Sequence, residues 1–328
     1  MTPKQPVLVT GCAGFIGSHL CESLLKDGVP VLGLDAFTAY YPPALKEENA
    51  ALLRGYPHFN LVRGDVRDPA TLESLLARGP LAGVVHLAAE VGVRESLRRP
   101  ADYMDVNAVG TARLLQAVAR LTPELHVVMA SSSSVYGESQ VVPYVETDPC
   151  SAPLSPYAAS KRAAELVAQS LAAHGGPRVT AMRFFTVYGP RQRPEMAITS
   201  FARRMLRGET VELFAPQGSR RDYTFVLDVV AGIRLCLARA PGGPRFRAYN
   251  IAGGRPVPLR DLVTALEHAL GVTAGVLEKP RAAGDMEQTW ADMTRAREEL
   301  GYVPRFSIEQ GLEHSAPWLK GLAQGEPS

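Results

Sequence analysis

The opening stretch constrains the fold most. A short apolar run, PVLVT (Pro6 to Thr10), leads into TGCAGFIGSHLCESLLKDG, with glycines at 11, 14 and 17. Strand, glycine turn and helix in that order make a βα unit. Glycines three residues apart let the backbone turn tightly, approach a pyrophosphate and pack helix on strand, while the helix N-terminus supplies amide donors and partial positive charge. The spacing departs from the commoner G-x-G-x-x-G. The next strand, VPVLGLD, ends in Asp35. A carboxylate there is placed to bind an adenosine ribose diol and to repel a 2′-phosphate, so the pattern favours NAD over NADP. The plainer alternative is three glycines that only pack a βα unit, and Asp35 at the next strand end argues against it.

The alternation continues through LVRGDV (61–66), GVVHLAA (83–89), HVVMASS (126–132) and RVTAMRFF (178–185), with helices expected around 69–78, 107–121 and 157–174. Apolar, β-branched runs flanked by helices are the pattern of a parallel sheet covered on both faces. The expected fold is therefore α/β, a Rossmann-type doubly wound parallel sheet with a smaller C-terminal substrate-binding domain. Past Thr186 the pattern turns irregular, with Pro/Gly/Arg clusters at 188–194, 215–222, 240–245 and 279–285, and RAYNIAG (247–253) reads as a strand returning to the main sheet. Domain boundaries follow from this. Residues 1–185, with a return over roughly 223–253, form the NAD-binding part; 186–222 and 254–320 form the substrate part; 321–328 is a frayed tail.

Composition excludes other classes. A chain of 328 residues can bury a large core, and its net charge of +2 comes from scattered basic residues. Nucleic acid is not an expected partner. No apolar run reaches the roughly 18 residues of a membrane span, and the first strand starts too early for a signal peptide, so a cytoplasmic location is expected. Cys12, Cys21, Cys150 and Cys236 show neither disulfide nor zinc spacing, and no metal site is expected.

Chemistry enters at SSSSVYG (Ser131 to Gly137) and SPYAASK (Ser155 to Lys161). Ser155 can cap a helix with Pro156 in its first position, which sets Tyr157 and Lys161 one turn apart on one face. An ammonium close to a phenol lowers the Tyr pKa from its reference near ~10 and makes Tyr157 a general base. Ser132 would share a hydrogen bond with the substrate alcohol and orient its proton. A bare Tyr-x-x-x-Lys also occurs by chance, on an ordinary helix surface, so its context must carry it.

TGCAGFIGSHL, HLAAEVGVRESL, SSSSVYG, SPYAASK and RFFTVYGPRQRPEMA, in this order, resemble the extended short-chain dehydrogenase/reductase family over nearly the whole chain. Within it, DAFTAYYPPALKEENAALL (35–53) and the Arg94-containing GVRES are similar to the UDP-glucuronic acid 4-epimerases. The resemblance implies an NAD-dependent 4-epimerase acting on a UDP-sugar through a transient 4-keto sugar. Tyr157 would be the base, Lys161 would lower its pKa and bind the nicotinamide ribose, and Ser132 would bridge the 4-OH. NAD would lie against Gly11, Gly14, Phe15, Ile16, Gly17, Asp35, Asp65, Val66, Leu87, Ala88 and Ala89, besides Tyr157 and Lys161. His86 would be a structural histidine on the cofactor side. Family habit implies a homodimer through the helices at 107–121 and 157–174.

Reaction and substrate rest on two short stretches. Related dehydratases have Asp-Glu, and related UDP-glucuronate decarboxylases Ser-Glu, where this chain has Ser133-Ser134. Two hydroxyls leave a site that can accept a substrate carboxylate without repelling it. Neutral-hexose epimerases usually have Asn in place of Thr186 and lack an arginine at the position of Arg193. Arg193 with Thr186, Ser133 and Ser134 would form a uronate pocket. For UDP, Arg221 matches a phosphate-binding arginine and Asp285 a uridine-side carboxylate. The family's second phosphate arginine is replaced by Ala282, with Arg281 one step back. UDP-glucuronic acid to UDP-galacturonic acid is the expected conversion. A UDP-glucose or UDP-N-acetylglucosamine 4-epimerase is the alternative, a UDP-glucuronate decarboxylase the next, and an idle nucleotide-sugar-binding protein the non-enzyme reading.

Overall fold

The apolar runs at 7–10, 31–35, 83–86 and 179–184 are buried along their whole length rather than on one face, so helices must cover both sides of the sheet. The computed structural model describes residues 4–137, 139, 141–214, 219–238, 243–280 and 288–324. Among them β1 (Val7–Thr10), β2 (Val31–Asp35), β3 (Phe59–Arg63), β4 (Gly83–His86), β5 (Val127–Ser132), β6 (Val179–Phe184) and β7 (Phe246–Ile251) form one sheet in the order β7-β6-β5-β4-β1-β2-β3. Every pairing in it is parallel. The covering helices are α1 (Phe15–Lys26), α2 (Pro43–Arg54), α3 (Pro69–Leu76), α4 (Gly110–Leu121), α5 (Pro156–Ala173) and α6 (Val226–Ala238).

Alternation along each strand divides the core. Val7 and Val9 pack with Leu20 and Leu24 of α1 and Ile233 of α6, whereas Leu8 packs with Leu72 of α3, Leu114 of α4 and Ala168 of α5. Each fully buried Leu or Val contributes about 1.5–3 kcal/mol. Strand order reverses beside β1, between β2 and β4, and such a switch point opens a crevice beyond the carboxyl ends of the strands. The register brings those ends abreast: Thr10 pairs with Leu34 and His86, and Ser132 with Phe184.

Two strands end sooner than their apolar runs. β3 stops at Arg63 and β4 at His86, so Asp65, Val66 and Leu87 to Ala89 leave the sheet at the crevice. β1 itself stops at Thr10, where Gly11 turns the chain, and beyond that point β4 has no partner on this side. The helix expected over 107–121 begins as a π-helical turn, Met104–Val109. There the Asn107 side chain bonds both backbone groups of Glu90, at 2.8 and 2.9 Å, and ties the turn to the strand end. Ser155 caps α5, its Oγ accepting from Ala158 N at 3.1 Å, with Pro156 in first place.

The remaining residues build a third apolar cluster from helices Ala197–Leu206, Leu259–Leu270 and Ile308–Gln324, with three two-stranded sheets beside it. The last helix runs to Gln324, into the segment read as a tail.

Gly11 has φ +71°, and a Cβ there would lie 2.8 Å from Ala88 N and 2.9 Å from the Leu87 carbonyl carbon. Left-handed backbone without glycine costs on the order of 1–3 kcal/mol before the collision is counted. Gly11→Ala is therefore expected to lower the unfolding free energy, measured by urea denaturation, by at least that much. A loss under about 0.5 kcal/mol, the range of ordinary surface changes, would contradict the packing described.

Candidate active site

The crevice is a cavity of about 410 Å³ lined from both halves of the chain. The glycine turn forms one end. A Cβ on Gly17 would collide with the Gly11 carbonyl oxygen, so α1 can descend onto β1 only without one. Gly14 is the α1 N-cap and offers no side-chain acceptor, which leaves the first amides of the helix open at the cavity. Phe15, Ile16 and Gly17 line the same end. These features fit a pyrophosphate.

Asp35 is buried at the end of β2. One carboxylate oxygen accepts from Ala13 N at 3.0 Å and the other from Phe37 N at 2.8 Å, which fixes the group and leaves lone pairs for a ribose diol. Lys46 Nζ stands 3.9 Å away. Asp65 is held by Arg67 through its backbone N at 2.8 Å and its guanidinium at 2.7 Å, and those bonds keep the carboxyl below the usual range. Asp65, Val66, Leu87, Ala88 and Ala89 all line the cavity, so every residue expected to meet NAD is gathered there. His86 is not part of the lining. Its Nδ1 lies 2.8 Å from Thr10 Oγ1 and its Nε2 3.0 Å from Thr111 Oγ1, and burial pushes its pKa down to about 3. Burial favours its neutral form, with both ring nitrogens beside hydroxyls.

Ser132, Tyr157 and Lys161 all line the cavity. Ser132 Oγ accepts from Ser134 N and donates to Ser134 Oγ, both at 3.1 Å, and so shapes the turn Ser133–Tyr136. Lys161 Nζ donates to Ala130 O at 3.0 Å. Burial pushes the ammonium down to about 8, against the pull of Glu165. The Tyr157 phenol shares that burial. Burial pushes the phenol up, and the groups opposing it are Ser132, through a hydrogen bond, and the Arg193 guanidinium. The lysine is engaged with the β5 backbone, and the dry wall that strips water from the phenol strips it from the ammonium too.

At the far end Ser133, Ser134, Thr186 and Arg193 line the cavity, as the uronate pocket requires. Arg193 is 16% exposed and its Nη1 lies 2.7 Å from a Glu195 carboxylate oxygen, a partner the sequence reading lacks. Its guanidinium carbon sits 5.4 Å from the Tyr40 ring centre. Arg221 is not brought to the cavity. It lies on the strand Arg220–Asp222, with Nη1 donating to Arg220 O at 3.0 Å. Asp285, Arg281 and Ala282 fall outside the described residues. Glu90, Lys46, Tyr41, Gln192 and Met196 line the cavity without having been expected there. Glu90 directly follows the HLAA strand end, which was the available signal. Burial raises its carboxyl against the pull of Arg99, whose Nη2 is 3.5 Å away.

Residues 7–252 match the NAD dependent epimerase/dehydratase family. The chain belongs to that family. It is 40% identical to UDP-glucuronate 4-epimerase 3 of Arabidopsis thaliana, over 97% of this chain and 77% of that one. Among solved structures it is similar to UDP-glucuronic acid 4-epimerase of Bacillus cereus in complex with UDP-glucuronic acid and NAD, at 34% identity and a TM-score of 0.88 over 97% and 99% of the two chains. The UDP-glucose 4-epimerase of Thermotoga maritima, with UDP-glucose, superposes almost as well, with a TM-score of 0.86 at 30% identity over the same shares. Backbone likeness is thus shared by epimerases of acidic and neutral sugars, and substrate choice has to be argued from side chains.

The buried ammonium carries a stability consequence. Lys161 has a folded pKa of about 8 against an ordinary 10.5. Between those values the unfolded chain holds a proton that the folded one does not, so stability from this group rises with pH and its penalty is full below about pH 8. Lys161→Met should therefore raise stability at pH 7 by about 1–3 kcal/mol, with the gain shrinking toward pH 10.5. Denaturation at pH 7 and pH 10 checks it. An equal change at both values would contradict the assignment.

Proposed function

We propose that this chain interconverts UDP-glucuronic acid and UDP-galacturonic acid by NAD-dependent 4-epimerisation. The observation that carries the reading is one cavity holding both the Ser132, Tyr157, Lys161 group and Arg193 with Ser133, Ser134 and Thr186. NAD, when bound, supplies a hydride acceptor for C4 and the source from which hydride returns to the same carbon. Tyr157 takes the 4-OH proton and later gives it back, Ser132 shares the hydrogen bond that orients that proton, and Lys161 binds the nicotinamide ribose. The Arg193 charge, which already favours the phenolate, links base strength to the uronate end of the cavity.

Binding of the uronate has a second purpose. A 4-keto uronic acid is a β-keto acid and loses CO₂ when its carboxylate stands perpendicular to the ketone plane. Charge-assisted bonds from Arg193, with hydroxyls of Ser133, Ser134 and Thr186, hold the carboxylate away from that geometry. Glu195 supports the neutral-hexose alternative, because it already takes one edge of the guanidinium. For the UDP end the reading keeps Arg221 and Asp285, whose support is their motif positions.

The fuller form of the proposal is a cytoplasmic homodimer with a C-terminal substrate domain. Four buried, free cysteines agree with a reducing compartment, and no helix among the described residues is long and apolar enough to cross a membrane. Leu97, Met104, Val109 and Leu166 leave apolar surface exposed on or beside the helices expected to pair.

Incubation with UDP-glucuronate, UDP-glucose and UDP-N-acetylglucosamine, with products identified by NMR, tests the substrate. UDP-galacturonate should form fastest and without net NADH. Turnover confined to neutral sugars would sink the reading. Tyr157→Phe should abolish turnover while calorimetric binding of UDP-glucuronate stays near that of the parent, and activity within about tenfold of the parent would remove Tyr157 from the mechanism. Arg193→Ala should cost UDP-glucuronate turnover roughly ten- to hundredfold, the loss of a charge-assisted pair. It should also raise the share of decarboxylated pentose product seen by mass spectrometry. Equal loss for both sugars with no such product would make Arg193 a fold or UDP residue.

A further inference from the structure

The stretch over residues 35–53 has three aromatics, Phe37, Tyr40 and Tyr41, that the reaction leaves without a task, and Tyr40 is the one that carries Arg193 on its ring. Tyr40 does not line the main cavity, although its neighbours Thr38 and Tyr41 do. It lines an adjoining hollow that shares Thr38, Tyr41 and Glu90 with the main cavity and whose walls also include Glu95, Arg99, Pro194 and Glu195. The residue between Gln192 and Pro194 faces the opposite choice: Arg193 lines the main cavity and not the hollow. Tyr40 and Arg193 meet where the two hollows adjoin, with the guanidinium carbon over the ring, 5.4 Å from its centre.

The ring is held from behind. Its hydroxyl occupies the notch left by Gly92, where φ is +103° and a Cβ would collide with it. The Tyr103 hydroxyl lies 3.7 Å from that same Cβ position and donates to Val91 O at 2.5 Å. Tyr103 meets the Tyr157 ring edge-on, at 6.2 Å and 83°. The face that Arg193 rests on is therefore anchored to the wall that carries the base.

Charge makes such an anchor necessary. Three carboxylates, those of Glu90, Glu95 and Glu195, line the hollow against one cation, Arg99, and Glu195 already pairs with Arg193. Left to the field alone, a long side chain with several rotatable bonds would follow Glu195 outward. We propose that Tyr40 is the positioning residue for Arg193: its ring holds the guanidinium on the side of the main cavity and so sets the preference for an acidic sugar over a neutral one. This rests on the uronate reading above.

The test is the ratio of dissociation constants for UDP-glucuronate and UDP-glucose, measured by calorimetry on the NAD-loaded protein, which needs no turnover. Tyr40→Leu should weaken UDP-glucuronate about three- to thirtyfold, the span of a cation–π contact, and UDP-glucose less than twofold. Tyr40→Phe, which keeps the face and loses only the hydroxyl's contact with the guanidinium, should weaken UDP-glucuronate less than Tyr40→Leu does. Adding Glu195→Gln to Tyr40→Leu should restore most of the loss, because the competing carboxylate is gone. Glu195→Gln alone asks the same question with the ring in place, should Tyr40→Leu not fold, and should tighten UDP-glucuronate while leaving UDP-glucose unchanged. Equal weakening of both sugars, a Phe variant as poor as Leu, or no response to Glu195→Gln would overturn the proposal. Arg193→Ala separates the two levels. If it leaves the ratio unchanged, the uronate reading falls and this inference with it; if it shifts the ratio and neither Tyr40→Leu nor Glu195→Gln does, only this inference falls.

Discussion

The amino end of α1 can stand over the crevice only because residues 11 and 17 have no side chain. Gly17 lies against the Gly11 carbonyl, and Gly11 against the backbone of Ala88, so three segments of main chain meet where one Cβ would part them. Everything that gives the cavity its chemistry is referred to that contact. It sets uncapped amides at one end and brings the glycine turn against Leu87 and Ala88, while the β1 ladders to β2 and β4 bring Asp35 and the end of β4 to the same rim. A helix displaced by a methyl group would shift the pyrophosphate end against the Tyr157 end, and hydride transfer tolerates little such error.

Dryness governs the electrostatics within. The same loss of water raises the Tyr157 phenol and lowers the Lys161 ammonium, so the protein alone favours the neutral form of both. Lys161 keeps its place through the Ala130 carbonyl, a backbone acceptor that holds whichever protonation state the lysine has. The phenolate is favoured by Ser132 and by Arg193, and the latter belongs to the sugar end. Proton removal and recognition of the sugar carboxylate are thereby coupled through one guanidinium, while Glu195 on one edge and Tyr40 on one face limit where that guanidinium can go.

Much of this was legible in the sequence because it is local. A Ser-Pro pair before Tyr157 specifies a capped helix start, and a Tyr and Lys four apart then share a face; a glycine turn between an apolar strand and a helix specifies the βα unit. What escaped depends on which distant backbone arrives alongside. The Lys161 partner is a carbonyl on β5, thirty-one positions earlier, and no residue type marks it. Strand ends escaped for a similar reason: β4 loses its β1 partner after Thr10 and β3 its β2 partner after Asp35, and neither LVRGDV nor GVVHLAA marks where its neighbour stops. Glu195 was visible two places after Arg193, but whether a loop carboxylate turns toward its neighbour or toward water is settled by packing. Tyr40 looked like any aromatic in a polar loop, because its notch is made by Gly92, on another segment.

The central claim is that one carbon loses and regains its hydrogen inside one cavity, with Tyr157 moving only the proton. UDP-glucuronate carrying deuterium at C4 tests it most directly. After incubation in ordinary water the UDP-galacturonate product should keep the deuterium at C4, as read by NMR. Replacement of that label by solvent hydrogen would contradict return of the same hydride and, with it, the account of the cavity given above.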